Sequence, residues 1–366
     1  MLSSYRRALH QIPELKLDTT QTATYIKNHL EPMKCELTSL IPNSICAYFD
    51  FGQEQTLAFR SDMDALPILE QNEIAYRSKN SNMHACGHDG HMSILLGFAD
   101  HIDQLEQAPY NILLIFQPGE EDPGGAQLLI DAGLFERYSI DAIFGLHIYP
   151  HLPSGQIVSK KGVMMAGACD LNIEIYGKAS HAAQPERGIN ALKAAAQFIT
   201  KTLAQEEQLF EKDVYHLLHY GLIESGSAFN VVANHASIKG TIRYFDPYVF
   251  DQIVGLLKKE LSILQERMGI HYDFSIDQHY PPLYNDQDLF ENIQKEIPFT
   301  NLEAPVLIAE DFAFYGKYAP SFFCFIGSGM EEALHSDTFN FDESLLTSGV
   351  SFYIDVLNHL KIKKNT

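Results

Sequence analysis

At 366 residues, 46% hydrophobic and 20% charged, the sequence is that of a folded protein, and it exceeds the length at which one hydrophobic core stops growing, so two domains are expected. The 47 Asp and Glu against 26 Lys and Arg leave a net charge of -21, which repels nucleic acid and anionic membrane and excludes both as partners. Five scattered cysteines, at 35, 46, 86, 169 and 324, fit a reducing compartment and not a disulfide framework.

Arg6 and Arg7 precede no apolar run, and the longest aliphatic block, residues 112–116, is far too short to span a bilayer, so a cytoplasmic protein is expected. Asp18 and Thr19 can cap a helix carrying Ala23, Ile26 and Leu30 at helical spacing and ending near Pro32. Residues 45–51 and 56–60 are β-rich runs separated by Gly52, which predicts a hairpin or neighbouring strands. The second run delivers Asp62 and Asp64 at a strand end, where open α/β sheets place their chemistry, although two solvated loop acids would read the same way.

Residues 84–91 then hold His84, Cys86, His88, Asp89 and His91. Imidazole, thiolate and carboxylate are the donors of borderline transition metals, so this stretch reads as half of a metal site. The two-residue spacing of Cys86 and His88 suits one side of extended backbone at a strand end. A structural zinc clip would need a second Cys or His pair at short spacing, and none follows, which favours a catalytic site with an open position.

A helix is predicted over 92–105, with Ile94, Leu95, Phe98, Ile102 and Leu105 on one face. Residues 111–116 are continuously apolar, the pattern of a parallel strand buried on both faces. They run into Glu120, Glu121 and Asp122, an acidic run that is either a solvated turn or a set of carboxylates offset by a cation. A helix over 125–134 and an apolar strand over 142–146 follow, the strand ending at His147.

Between 169 and 281 the periodicity changes to strand, helix, strand, strand, helix, strand: 171–176, 190–203, 214–220, 236–245, 248–268 and 270–276. That order is the ferredoxin-like unit. The fold class is therefore α/β, a mixed open sheet with helices on both faces formed by residues 1–168 and 282–366, plus an inserted ferredoxin-like α+β lid at 169–281. Near the end come an apolar strand over 322–326 and a helix over 342–359.

Seven motifs then resemble one family in order along nearly the whole chain. They are His10-Gln11-Ile12-Pro13-Glu14, Arg60-x-Asp62-x-Asp64-Ala65-Leu66-Pro67, His84 to His91, Phe116-Gln117-Pro118-Gly119-Glu120-Glu121, Gly145-Leu146-His147, Gly177 to Pro185, and Gly240-Thr241-Ile242-Arg243. The chain resembles the aminoacylase and carboxypeptidase family of dinuclear metallohydrolases, in the branch of hippurate hydrolases, indole-acetyl-amino-acid hydrolases and N-acetyldiaminopimelate deacetylases. The resemblance implies two divalent ions, zinc, manganese, cobalt or nickel, held by Cys86, His88, Glu121, His147 and His335. It implies Glu120 as general base and Glu121 as ligand, an order that the sequence by itself does not fix. Asp62 resembles the acid that hydrogen-bonds a metal-bound imidazole. His181 resembles the lid residue near the reacting carbonyl oxygen, and Asn230 and Arg243 those at the substrate carboxylate. A homodimer through the lid is implied too.

The sequence departs from the family at Glu186, where a second His is common. It also has Leu307 and Ile308 where the diaminopimelate deacetylases show another pattern, while 334–342 looks like the general amidohydrolases. The expected activity is hydrolysis of the amide bond of N-acyl amino acids. The alternatives are an N-acetyldiaminopimelate deacetylase, a metallo-dipeptidase or carboxypeptidase, and a metal-binding protein that kept the fold.

Overall fold

The computed structural model describes residues 1–362, which fall into two compact units. The first is built from Met1–Met164, Leu283–Pro305 and the chain from Asp311 onward; the second comprises Met165–Pro282 and Val306–Glu310. The expected boundary at 282 places 306–310 with the catalytic part. The backbone assigns them to the second unit, because the Ala166 N–H donates to the carbonyls of Val306 and Ile308 at 2.9 and 3.1 Å.

In chain order, α1 (Leu2–His10) and α2 (Thr20–Leu30) precede β1 (Glu36–Thr38), β2 (Ile45–Phe49) and β3 (Thr56–Asp62). Then come α3 (His88–Asp103), β4 (Asn111–Gln117), α4 (Gly125–Asp131), α5 (Leu134–Arg137), β5 (Ile140–Tyr149), β6 (Ile157–Ser159) and β7 (Gly162–Met165). The second unit holds β8 (Gly167–Tyr176), α6 (Ala191–Glu206), β9 (Leu217–Ser225), β10 (His235–Tyr244), α7 (Pro247–Met268) and β11 (His271–Tyr280). Last are β12 (Leu283–Asn285), α8 (Gln287–Glu296), β13 (Thr300–Asn301), β14 (Ser321–Gly327) and α9 (Leu345–His359).

The first unit is organised on a mixed sheet of order β1-β2-β4-β3-β5-β14-β6-β13. β3 runs parallel to both β4 and β5, and β5 parallel to β14. β4 is buried along its whole length, as its unbroken apolar run requires of a strand covered on both faces. It lies between β2 and β3, so the hairpin or neighbouring pair expected of those two strands is not formed. β4 pairs along its length with both, and Asn111 at its start holds their link around its end, its Oδ1 accepting the N–H groups of Phe51 and Gln53 at 2.9 and 3.1 Å. Helix α3 packs on β3, β4 and β5 and against α1 and α9. From His88 to Ala99 it is buried on every side, which is why its apolar residues do not confine themselves to one stripe.

The second unit is an antiparallel sheet of order β11-β8-β10-β9, so its four strands stand fourth, first, third, second, the ferredoxin-like arrangement. Alternate residues of β8 (Cys169, Leu171, Ile173, Ile175) and of β10 (Ala236, Ile238, Ile242) form one core with Phe198 of α6 and Ile253, Leu257 and Leu261 of α7. Asn190 and Asp246 cap the two helices, accepting the N–H of Lys193 and of Tyr248 at 2.9 Å each. Among the described residues no helix is long and apolar enough to cross a membrane.

Candidate metal centre

The chemistry-bearing residues of the first unit gather where the parallel strands β3, β4 and β5 end, as expected of an open α/β sheet. β3 ends in Asp62, and β4 runs into the loop carrying Glu120 and Glu121. His147 lies inside β5 and does not end it, because pairing with β14 continues to Tyr149 opposite Gly327. Cys86 and His88 also differ from the expected extended pair. Gly87 takes φ +88°, a left-handed turn suited to glycine, and His88 is the first residue of α3. Gly90, one turn on, leaves room for a close neighbour: a Cβ there would meet Ile148 Cδ1 at 2.5 Å and the Phe341 ring at 2.7 Å.

These turns make Cys86 the common member of two donor groups. Its Sγ is 3.4 Å from His147 Nε2 and 3.3 Å from His335 Nε2. The His335 Nε2 is in turn 3.4 Å from Glu121 Oε1. The ligand atoms of Cys86, His88 and His147 lie within 4.8 Å of one another, and so do those of Cys86, Glu121 and His335. Tetrahedral coordination at metal–ligand distances of about 2.0–2.3 Å separates ligand atoms by about 3.3–3.8 Å, so the spacing suits a divalent ion in each group. The loop bearing His335 is tied to the Cys86 turn by the His335 N–H, which donates to the Ala85 carbonyl at 2.9 Å. His335 itself takes φ +65°, an uncommon conformation for a non-glycine residue and a local strain at a donor.

The tautomers and protonation of His88 and His147 agree with ligation. His88 Nδ1 donates to the Asp64 carbonyl at 2.8 Å and His147 Nδ1 to the Ile148 carbonyl at 2.7 Å, which leaves each Nε2 with a lone pair. Burial lowers the pKa of both imidazoles, His147 well below its ordinary value, and so keeps them neutral. Although fully buried, His88 Nε2 has no hydrogen-bond partner. A cation would satisfy it. Burial, reinforced by Glu121, Glu120 and Asp62, pushes the Cys86 thiol well up, so its ionisation needs positive charge beside it. A single S–H can donate to one of the two imidazoles facing it but not to both. The residues present therefore fit a pair of divalent transition-metal ions.

His91 lies close to this cluster, yet both its nitrogens are committed. Nδ1 donates to Asp62 Oδ1 at 2.8 Å, and Nε2 accepts the Ile148 N–H at 2.8 Å. The imidazole that Asp62 holds is thus His91, whose two nitrogens are both hydrogen-bonded, and not one of the expected ligands. Asp62 Oδ2 stands 3.7 Å from His88 Nε2 and accepts from Arg60 Nη1 at 3.0 Å. Burial would raise the Asp62 pKa, but the His91 N–H and the Arg60 guanidinium outweigh it and hold the carboxylate well below its ordinary range. Sequence reading passed over the rest of this support: Arg60 also donates to Gln117 at 2.9 Å and Asp311 at 2.6 Å, and Tyr315 donates to Gln117 at 2.8 Å. Asp311, far along the chain from β3, supplies the second acid to Arg60.

The other three candidates belong to the second unit. His181 is exposed, pairs with Val231 in an isolated bridge, and accepts the Ala183 N–H on Nδ1 at 3.1 Å. Asn230 adjoins it, its carbonyl accepting the Ala182 N–H at 3.0 Å. Arg243 stands on β10, donating to Thr241 Oγ1 and, at 3.2 Å, to the Ile242 carbonyl; burial lowers its pKa.

The model of the peptidase family M20/M25/M40 matches residues 58–359. The chain belongs to this family. A Staphylococcus epidermidis member named an uncharacterized hydrolase is 35% identical across 98% of this chain and 97% of its own length. A solved protein from methicillin resistant Staphylococcus aureus, 28% identical, superposes with a TM-score of 0.90 over 98% of this chain and 96% of that one. The YXEP protein of Bacillus subtilis, described as a dinuclear metal binding peptidase of the M20 family, is 27% identical with a TM-score of 0.84 over 98% of both chains. As an M20 member the chain is a metal-dependent hydrolase, with Cys86 at the junction of its two candidate ligand groups.

Proposed function

We propose that this M20 hydrolase cleaves the amide bond of N-acyl amino acids, with Glu120 as general base and two divalent ions, zinc, manganese, cobalt or nickel, held by Cys86, His88, His147, Glu121 and His335. The observation that carries the reading is the single sulfur of Cys86 shared between an all-imidazole group and a group containing Glu121. When bound, divalent ions supply Lewis acidity that makes water more acidic and an acyl carbonyl more electrophilic. Glu120, buried in the loop after β4, takes the proton of the water that attacks the acyl carbon. It returns that proton to the amine nitrogen as the C–N bond breaks, so the acid and the amine leave with charge and atoms balanced. His181 steadies the developing oxyanion, and the planar fork of Arg243, with Asn230, receives the amino-acid carboxylate.

A dipeptidase or carboxypeptidase is the second reading, favoured by the peptidase description of the Bacillus subtilis relative. N-acetyldiaminopimelate is one N-acyl amino acid within the first. A homodimer through the second unit, whose edge strand β9 exposes Leu222 and Ile223, and a cytoplasmic setting complete the proposal; sedimentation equilibrium reads the dimer directly.

The test is Glu120→Gln assayed on N-acetyl amino acids, N-benzoyl amino acids and dipeptides. Metal content at the wild-type level with turnover reduced at least about 1000-fold is expected, in line with loss of a general base in a preorganised site. Unchanged turnover would move the base to another residue, and a preference for dipeptides would favour the second reading.

A further inference from the structure

Asp64, two residues beyond β3, is 1% exposed and bonds to three residues of the donor cluster. Its Oδ1 accepts the N–H of Glu120 at 2.9 Å, and its Oδ2 accepts the N–H of Glu121 at 3.1 Å. Its main-chain oxygen accepts Nδ1–H of His88 at 2.8 Å. Two successive amides aimed at one carboxylate make a small anion-binding concavity turned inward. The loop needs such an anchor: Gly119 enters it at φ +78°, and its two neighbouring acids repel each other. Asp64 takes no part in either shared-sulfur donor group, since each carboxylate oxygen already faces an amide.

We propose that Asp64 is a positioning residue that fixes the Glu120-Glu121 backbone against His88, and so sets the general base and one ligand of each donor group at constant separation. The inference rests on the two-ion reading above. It works through geometry: the carboxylate orients the backbone from which Glu120 and Glu121 project, while the carbonyl selects the tautomer that leaves His88 Nε2 open. A neighbour that merely filled space would not need an acceptor for each amide.

Asp64→Asn is nearly the same size, and its amide nitrogen sets a donor against one of the two N–H groups while the main-chain bond to His88 stays. Zinc titration against a chromophoric chelator, with the N-acyl amino acid assay, reads the outcome. The wild type is expected to bind two ions. In Asp64→Asn one ion keeps its affinity, the other binds at least about 10-fold more weakly, and kcat falls at least about 100-fold with KM changed less than about threefold. General destabilisation does not separate the two ions in this way. Wild-type affinity for both ions and wild-type kcat in the variant would overturn the inference. A wild-type chain that binds fewer than two ions would instead sink the two-ion reading.

Amide hydrogen exchange on the metal-free wild type tests the anchor without any variant. Slow exchange at Glu120 and Glu121 is expected, and rates typical of an open loop would overturn it.

Discussion

Around Arg60 the buried polar groups are satisfied: the guanidinium meets Asp62, Asp311 and Gln117 within hydrogen-bond distance, and Asp311 takes in addition the Gln117 side chain at 2.7 Å and the Ala126 N–H at 2.9 Å. Around Cys86, only a short distance along the same strand ends, donors face donors, with one sulfur between two imidazoles and a buried Nε2 that has no partner. Both regions are built from similar polar residues and both are largely buried, the half-exposed His335 excepted. The difference is that the first set is complete in itself and forms a scaffold, whereas the second is complete only with added positive charge. His88 and His91, less than one turn apart, show the boundary between them: His91 is satisfied by Asp62 and Ile148, and His88 keeps its Nε2 open.

The contrast breaks most readily at Cys86. Cys86→Ala removes the donor common to both groups and should take metal content from two ions to below one per chain, with activity down at least about 1000-fold. Elemental analysis after dialysis checks this, and two retained ions would refute the shared sulfur. On the scaffold side, Arg60→Met leaves two buried carboxylates without their cation and should cost about 3–5 kcal/mol of stability in urea unfolding. Loss of stability with the metal-ligand set still intact in the folded fraction would keep the two regions distinct, while simultaneous loss of both ions would merge them.

A smaller effect sharpens the picture at His10, which meets Asp89 in the first turn of α3. Burial lowers its pKa, but Asp89 and Glu70, whose carboxylates lie 2.8 and 3.2 Å from its ring nitrogens, outweigh burial and raise it to about 9. A raised folded-state value means that stabilisation is complete below the ordinary His value of about 6.5 and disappears as pH climbs through about 9. The difference is worth about 3 kcal/mol as an order of magnitude. His10→Gln should flatten unfolding free energy between pH 6.5 and 9, and an unchanged slope would place the titration elsewhere.

Much of this was legible along the chain. The unbroken apolar run of β4 and the alternation in β8 and β10 announce their burial directly, since one strand is covered on both faces and the others on one. The donor types at 84–91 and 120–121 are equally plain, because imidazole, thiolate and carboxylate are the side chains that bind transition-metal ions. The partner of Asp62 was not legible. It depends on how α3 sits over β3, and the left-handed turn at Gly87 starts that helix four residues before its apolar periodicity does. Nor was the separation of β2 from β3, which the insertion of the distant β4 between them brings about.

Residue chemistry and periodicity, which are local properties, determined the two-part fold and the donors at 84–91 and 120–121, and the order of motifs along the chain supplied the family resemblance that completed the donor set with His335. Tertiary structure decided which of those donors stay open. Whether an imidazole nitrogen is used up or left with a lone pair depends on a carbonyl or carboxylate from a distant strand, such as Asp64 for His88 and Asp62 for His91, and such partners exist only once the chain has folded.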